Sequence, residues 1–253
     1  MSMRWVCIFL LTPFFAYASM EEVKFYTEDA GLSSYMDDQN QLHGFSVDIV
    51  QEMIKRSGGR NSIELVPWVR GYTLALDVKG SAVFATCRTR ERENLFKWVG
   101  PLNNTRVVFY QRAESRLKIS KLEDAKKAKK IGCYVGDFRT KILEKAGFRN
   151  LECITGDLPN SRNLKKLASG RIELWVSSET DLAITANRIK VNPGHFKRAF
   201  VIEESPVNIA FHKQTPEVEL KKWQGYLDQL KKDGTYRAIM KKYKVDPSIW
   251  AIE

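Results

Sequence analysis

The chain has 253 residues, 43% hydrophobic and 28% charged, with a formal net charge of +11. That composition excludes a disordered or fibrous chain, and the length allows one large domain or two small ones around a buried core. The positive balance would suit nucleic acid, anionic surfaces or acidic ligands, but acids interleave with the cations along stretches such as Lys121 to Lys130 and Lys231 to Lys244, which reads as solvated helix surface.

Residues Met1 to Ala18 begin with a basic Arg4, continue as an apolar run from Trp5 to Phe15 and end on Ala16-Tyr17-Ala18. This is the layout of a cleaved secretory signal peptide, and the run is too short to span a bilayer comfortably. Cys7 lies inside the run, so no lipoprotein site is expected. Cleavage after Ala18 leaves Cys87, Cys133 and Cys153. An odd count in an oxidising compartment allows one disulfide and leaves one free thiol. No CxxC or Cys/His spacing is present, and His43, His195 and His212 are scattered singly; neither metal nor cofactor is expected. An exported protein rarely meets nucleic acid, so none is expected as a partner.

Val23 to Thr27 is a strand candidate rich in β-formers. Phe45 to Lys55 has apolar residues at helical spacing, with Ser46 as a plausible cap and Gly58-Gly59 as the stop. Ile63 to Val66 reads as a strand, Tyr72 to Val78 as a short helix and Ser81 to Ala85 as a strand. The pattern then restarts: strand Ile131 to Val135, helix Arg139 to Ala146 ended by Gly147, strand Leu151 to Ile154, helix Asn163 to Ala168, strand Leu174 to Ser177. The order predicts two similar α/β units with parallel strands rather than one large sheet. Arg106 to Gln111 and Val201 to Phe211 read as two extended connections between the units. Glu217 to Lys232 places Leu220, Trp223, Leu227 and Leu230 on one helical face. Two lobes joined by two crossings make a cleft that closes by hinge motion. Its ligand is expected at the loops after Thr27, Val66, Ala85, Val135 and Ser177, beyond the carboxyl ends of the strands.

Four stretches in order carry a family likeness: HGFSVDIVQEMIKRSG from His43, TRERENLFKWVGPL from Thr89, GRIELWV from Gly170 and KWQGYLDQLKKDGTYRAIMKKY from Lys222. Together they resemble the extracellular solute-binding proteins of family 3, the periplasmic receptors of polar amino-acid ABC transporters. The resemblance implies a two-lobed type II periplasmic binding fold. Lobe 1 would comprise residues 19–109 and 205–253, and lobe 2 residues 110–204. It further implies a periplasmic, non-enzymatic monomer that hands a small carboxylate-bearing, amino-acid-like solute to an ABC permease or reports it to a membrane sensor. Some relatives of the fold are cyclohexadienyl dehydratases, in which Glu28 or Glu179 would be the acid or base.

The resemblance also points to site residues. Arg92 matches the arginine of the "T-x-x-R" motif, which grips the ligand carboxylate; a guanidinium is a rigid fork of donors suited to that partner. Thr86 and Cys87 lie just upstream, Cys87 where serine is common, and a thiol is the weaker donor. Trp68 and Arg70 follow the second strand, at the cleft edge or in core and solvent respectively. Glu28 stands where an acid faces the ligand, or is a solvated loop acid. Asp137 begins a helix whose free N–H groups favour an anion, and capping that helix is its expected role. Ser178 replaces the usual ammonium-binding aspartate, with Glu179 and Asp181 nearby as substitutes. Cys133 and Cys153, on neighbouring strands of the second unit, are a candidate pair, although bridges between strands of a parallel sheet are unusual.

Overall fold

The computed structural model describes residues 22–251. The signal-peptide expectation falls on residues 1–18, outside the described part. No helix among the described residues is long and apolar enough to cross a membrane.

The first unit contains β1 (Lys24–Thr27), a short hairpin of β2 (Tyr35–Met36) and β3 (Leu42–His43), α1 (Phe45–Ser57), β4 (Ser62–Leu65), α2 (Trp68–Asp77) and β5 (Ser81–Cys87). A 17-residue strand, β6 (Phe96–Arg112), leads to β7 (Ile131–Tyr134), α3 (Phe138–Lys145), β8 (Leu151–Ile154), α4 (Pro159–Ala168), β9 (Leu174–Ser178) and α5 (Asp181–Arg188). A second 17-residue strand, β10 (Phe196–His212), returns the chain to α6 (Glu217–Lys232) and α7 (Thr235–Lys242).

The parallel trios β4-β1-β5 and β9-β7-β8 are the two expected α/β units. They are hydrogen-bonded into one eight-stranded sheet, ordered β4-β1-β5-β10-β6-β9-β7-β8. One continuous sheet thus stands where the sequence pattern predicts two separate ones. The two extended connections belong to the antiparallel pair β6–β10, which β5 joins on one side and β9 on the other. Alternation along each strand covers both faces. On β9, Leu174 and Val176 enter one core while Trp175 enters another; on β1, Phe25 and Tyr26 divide the same way. Core membership changes between Leu102 and Val107 on β6, and between Ile202 and Ile209 on β10.

Several element ends differ from the sequence reading. The cap of α1 is Gly44 at φ 137°, where a Cβ would lie 2.2 Å from the Ser33 carbonyl oxygen. Only glycine fits, so Ser46 falls inside the helix and its hydroxyl meets that of Ser33 at 2.7 Å. The stop at Gly58 is a left-handed cap with φ 66°. Helix α2 begins at Trp68 instead of Tyr72, because Pro67 is well suited to a helix entry. Helix α4 likewise begins at Pro159. The Cys133 and Cys153 sulfurs are bonded across directly paired positions of β7 and β8, with their Cα atoms 4.3 Å apart. Cys87 is the free cysteine and is buried.

Candidate functional site

A small cavity, about 60 Å³, lies where both units meet the crossing strands. Glu28 follows β1, Trp68 opens α2 and Cys87 ends β5. Asn103, Thr105 and Val207 come from β6 and β10. Asp137, Phe138 and Arg139 come from the start of α3, and Ser178, Thr180 and Asp181 from the entry to α5. The ends of β1, β5 and β9 thus converge on one space, as parallel strands followed by helices dictate. Ala85, on the wall, has φ 55°, and the β5–β10 register shifts opposite it, between Asn208 and Ala210. A left-handed alanine stores strain of about 1 kcal/mol or more, which tends to concentrate at functional sites.

Arg92 is 7% exposed. Its Nη1 donates to the Cys87 carbonyl at 3.2 Å. Its guanidinium carbon lies 4.9 Å from the Trp68 ring centre, 5.2 Å from Tyr72 and 6.0 Å from Phe138. No carboxylate among the described residues forms an ion pair with it. Aromatic faces attract the charge only partially. A buried cation without an anion is costly.

Arg139 is the opposite case. It donates to both Asp137 oxygens, at 2.9 and 2.5 Å, to Ser178 Oγ at 2.9 Å and to Asp181 Oδ2 at 3.0 Å. Asp181 Oδ2 also accepts from Ser177 Oγ at 2.5 Å and from the Ser178 amide at 2.9 Å. Asp137 caps α3 by accepting from the Arg139 amide at 2.7 Å. Burial works against the Arg139 charge, but these two carboxylates more than offset it and raise its pKa. The first unit packs closely on this network: a Cβ on Gly31 would lie 2.5 Å from Asp181 Oδ1.

Burial, with Asp137 and Asp181 nearby, pushes the Glu28 carboxyl from its ordinary 4.5 up to about 8, against the opposing pull of Arg139. Glu28 is therefore mostly neutral at pH 7. Burial likewise pushes the Cys87 thiol up to about 12, leaving it an uncharged wall group.

Arg92, Cys87, Trp68, Glu28, Asp137 and Ser178 all line the cavity. Two expected residues do not. Arg70 is two positions after Trp68 on α2, about 200° round the helix, and points to solvent. The Thr86 hydroxyl donates to the Val83 and Phe84 carbonyls of its own strand. Of the two acids near Ser178, Asp181 faces the cavity, while Glu179 pairs with Arg106 and Arg198 outside it. Sequence reasoning missed Arg139, assigned only to a helix start. An arginine in a first helical turn opposes the helix dipole, which signals a nearby carboxylate partner. Among the described residues no cluster of three His, Cys, Asp or Glu could hold a metal.

The model of the bacterial extracellular solute-binding proteins, family 3, matches residues 26–246. The chain belongs to this family. A comparison with curated proteins finds no sequence match. A histidine kinase sensor domain similar to periplasmic binding proteins superposes with TM-score 0.81 at 15% identity, covering 92% of this chain and 98% of that one. A mutant of ArgBP from T. maritima gives 0.76 at 19%, covering 89% and 96%. A binding component of an ABC transporter from Wolinella succinogenes, complexed with lysine, gives 0.75 at 18%, covering 90% and 98%. At these identities the likeness establishes the fold of this family 3 protein: α/β, two-lobed, with parallel strands flanked by helices.

Proposed function

We propose that this family 3 protein is a periplasmic receptor that traps a small carboxylate-bearing, amino-acid-like solute between two lobes. The observation that carries the reading is Arg92, a buried guanidinium on the cavity wall with a carbonyl and three aromatic rings around it and no carboxylate. A ligand carboxylate supplies the missing anion through charge-assisted hydrogen bonds. The lobes divide where core membership changes on β6 and β10, and those two strands are the hinge. Closure brings lobe 2 groups, Asp137 to Arg139 and Ser178 to Asp181, against the lobe 1 wall. Two ion pairs bridge the lobes in this form: Arg188 with Asp29 at 2.7 Å, and Lys145 with Glu91. A ligand that contacts both lobes favours the closed form by its differential affinity. The closed form then hands the solute to an ABC permease.

A thermal-shift screen of small carboxylates against the mature protein tests the reading. At least one carboxylate raises the Tm of the wild type, and Arg92→Met abolishes that rise. A rise that survives in Arg92→Met would show that the carboxylate binds elsewhere.

A further inference from the structure

We propose that Arg90 and Lys141 steer small carboxylates into the cavity along the Arg92 side, and so set how fast the solute is captured rather than how tightly it is held. The inference rests on the reading that Arg92 takes the carboxylate. Arg92 and Phe138 line the central cavity and also a cleft of about 640 Å³, between residues 88–95 of lobe 1 and α3 of lobe 2. Phe138, Lys141, Ile142 and Lys145 recur at helical spacing, which turns one face of α3 into that cleft. Two cations on its wall are neutralised locally, Arg88 by Glu93 and Lys145 by Glu91. Arg90 and Lys141 are exposed and, like Arg92, form no ion pair among the described residues. The remaining acid of the cleft, Glu203, accepts from the Ser205 hydroxyl at 2.9 Å. The cleft is therefore positive, and its buried cation is Arg92.

A second cleft, of about 340 Å³, meets the cavity at other residues, Glu28 and Trp68, and shares none with the first. Its charge is opposite. Asp38 and Asp157 line it, both exposed, and its cation, Arg188, is paired with Asp29. An incoming carboxylate is thus drawn to the Arg92 side and repelled from the other. Exposed charges such as Arg90 and Lys141 are screened by water and add little to a bound state. They act on the encounter, and their effect falls as ionic strength rises. In water a unit charge about 10 Å away enriches an anion about twofold, so the pair together changes the capture rate about fourfold at low salt.

Cys87 supplies the reporter. It is the free cysteine among the described residues, it lies on the cavity wall, and its carbonyl accepts from Arg92. Alkylation at Cys87 of the mature protein is followed by mass spectrometry with iodoacetate and with iodoacetamide, an anion and a neutral molecule of nearly the same size. In both reactions the sulfur bonds to the methylene carbon, iodide leaves and the thiol proton goes to solvent. The ratio of the two rates, taken relative to the urea-unfolded protein, cancels the reactivity of the thiol and the opening of the lobes, and reads the arrival of a carboxylate. At about 10 mM salt the wild-type ratio is expected to lie several-fold above the unfolded reference, and Arg90→Gln/Lys141→Gln to lower it about fourfold; at about 1 M salt, where charges are screened over about 3 Å, that difference is expected to vanish. Lys129→Gln/Arg149→Gln removes the same charge just before β7 and β8, at the strand ends away from the cavity, and is expected to leave the ratio unchanged. An unchanged ratio in Arg90→Gln/Lys141→Gln, an equal fall in the Lys129 and Arg149 control, or a Cys87 that neither reagent reaches overturns the inference. Arg92→Met separates the two readings. A ratio that falls there but not in the Arg90 and Lys141 variant leaves Arg92 as the carboxylate receptor and removes the steering. A ratio that Arg92→Met leaves intact removes the carboxylate reading and the inference with it.

Discussion

Replacing Glu28 by glutamine removes a group whose ionisation opposes the fold. The folded-state value of about 8 lies above the ordinary 4.5. Below pH 4.5 the carboxyl is protonated folded and unfolded, and it contributes nothing to the pH dependence. From there up to pH 8 the unfolded chain loses the proton and the folded one keeps it, so stability falls as pH rises. The slope approaches 1.4 kcal/mol per pH unit, and above pH 8 the accumulated loss levels off at about 5 kcal/mol. The groups that set this value are burial first, then Asp137, Asp181 and Asp29, with Arg139 opposing them. Glutamine cannot ionise. Urea unfolding of wild type and Glu28→Gln at half-unit steps from pH 5 to 9 isolates the term, since every other titrating group is common to both. The stability advantage of the variant should be under about 1 kcal/mol at pH 5 and exceed about 3 kcal/mol at pH 8. A difference that stays constant across the range would refute the argument that Glu28 is held neutral by its surroundings.

Cys153→Ser opens a bridge between residues 20 apart; its unfolding free energy should fall by about 3 kcal/mol, with ligand affinity unchanged, as the sulfurs do not line the cavity. Asp29→Asn unpairs Arg188 across the lobes, and affinity should weaken several-fold while solution scattering reports a larger radius of gyration. Trp223 is fully buried between Phe25 and Phe211, with ring centres 5.0 and 6.1 Å away; Trp223→Ala should cost about 3–5 kcal/mol by urea unfolding.

Most of the parallel strands and their helices were legible because their apolar residues recur at the period of each element. Leu220, Trp223, Leu227 and Leu230 define the buried face of α6 in sequence and in structure alike. What periodicity could not show was how the crossings pair. The antiparallel β6–β10 ladder depends on contacts about a hundred residues apart, such as Phe196 with Arg112 and Ile209 with Val99. Helix α2 enters one turn before the expected Tyr72, at Trp68 directly after Pro67, and that turn decides that Trp68 faces the cavity and Arg70 does not. Arg92 stood out through its motif. Its lack of an anion was not legible, since the acids that could have met it, Asp137 and Asp181, are drawn to Arg139 only in three dimensions. The neutral state of Glu28 has the same origin.

Arg92→Met tests the central claim most directly. Methionine keeps an apolar stem against Trp68, Tyr72 and Phe138 and removes the positive charge with its fork of donors. Two charge-assisted hydrogen bonds to a carboxylate, at about 1.5 kcal/mol each, amount to roughly a hundredfold in Kd. The unliganded variant should be as stable as wild type or more so, because it no longer buries an unpaired cation. Calorimetric titration of the best carboxylate into both proteins, with urea unfolding of each, should therefore show affinity falling about a hundredfold while stability holds or rises. Equal affinity, or a large loss of stability with affinity retained, would contradict the account and make Arg92 a structural residue.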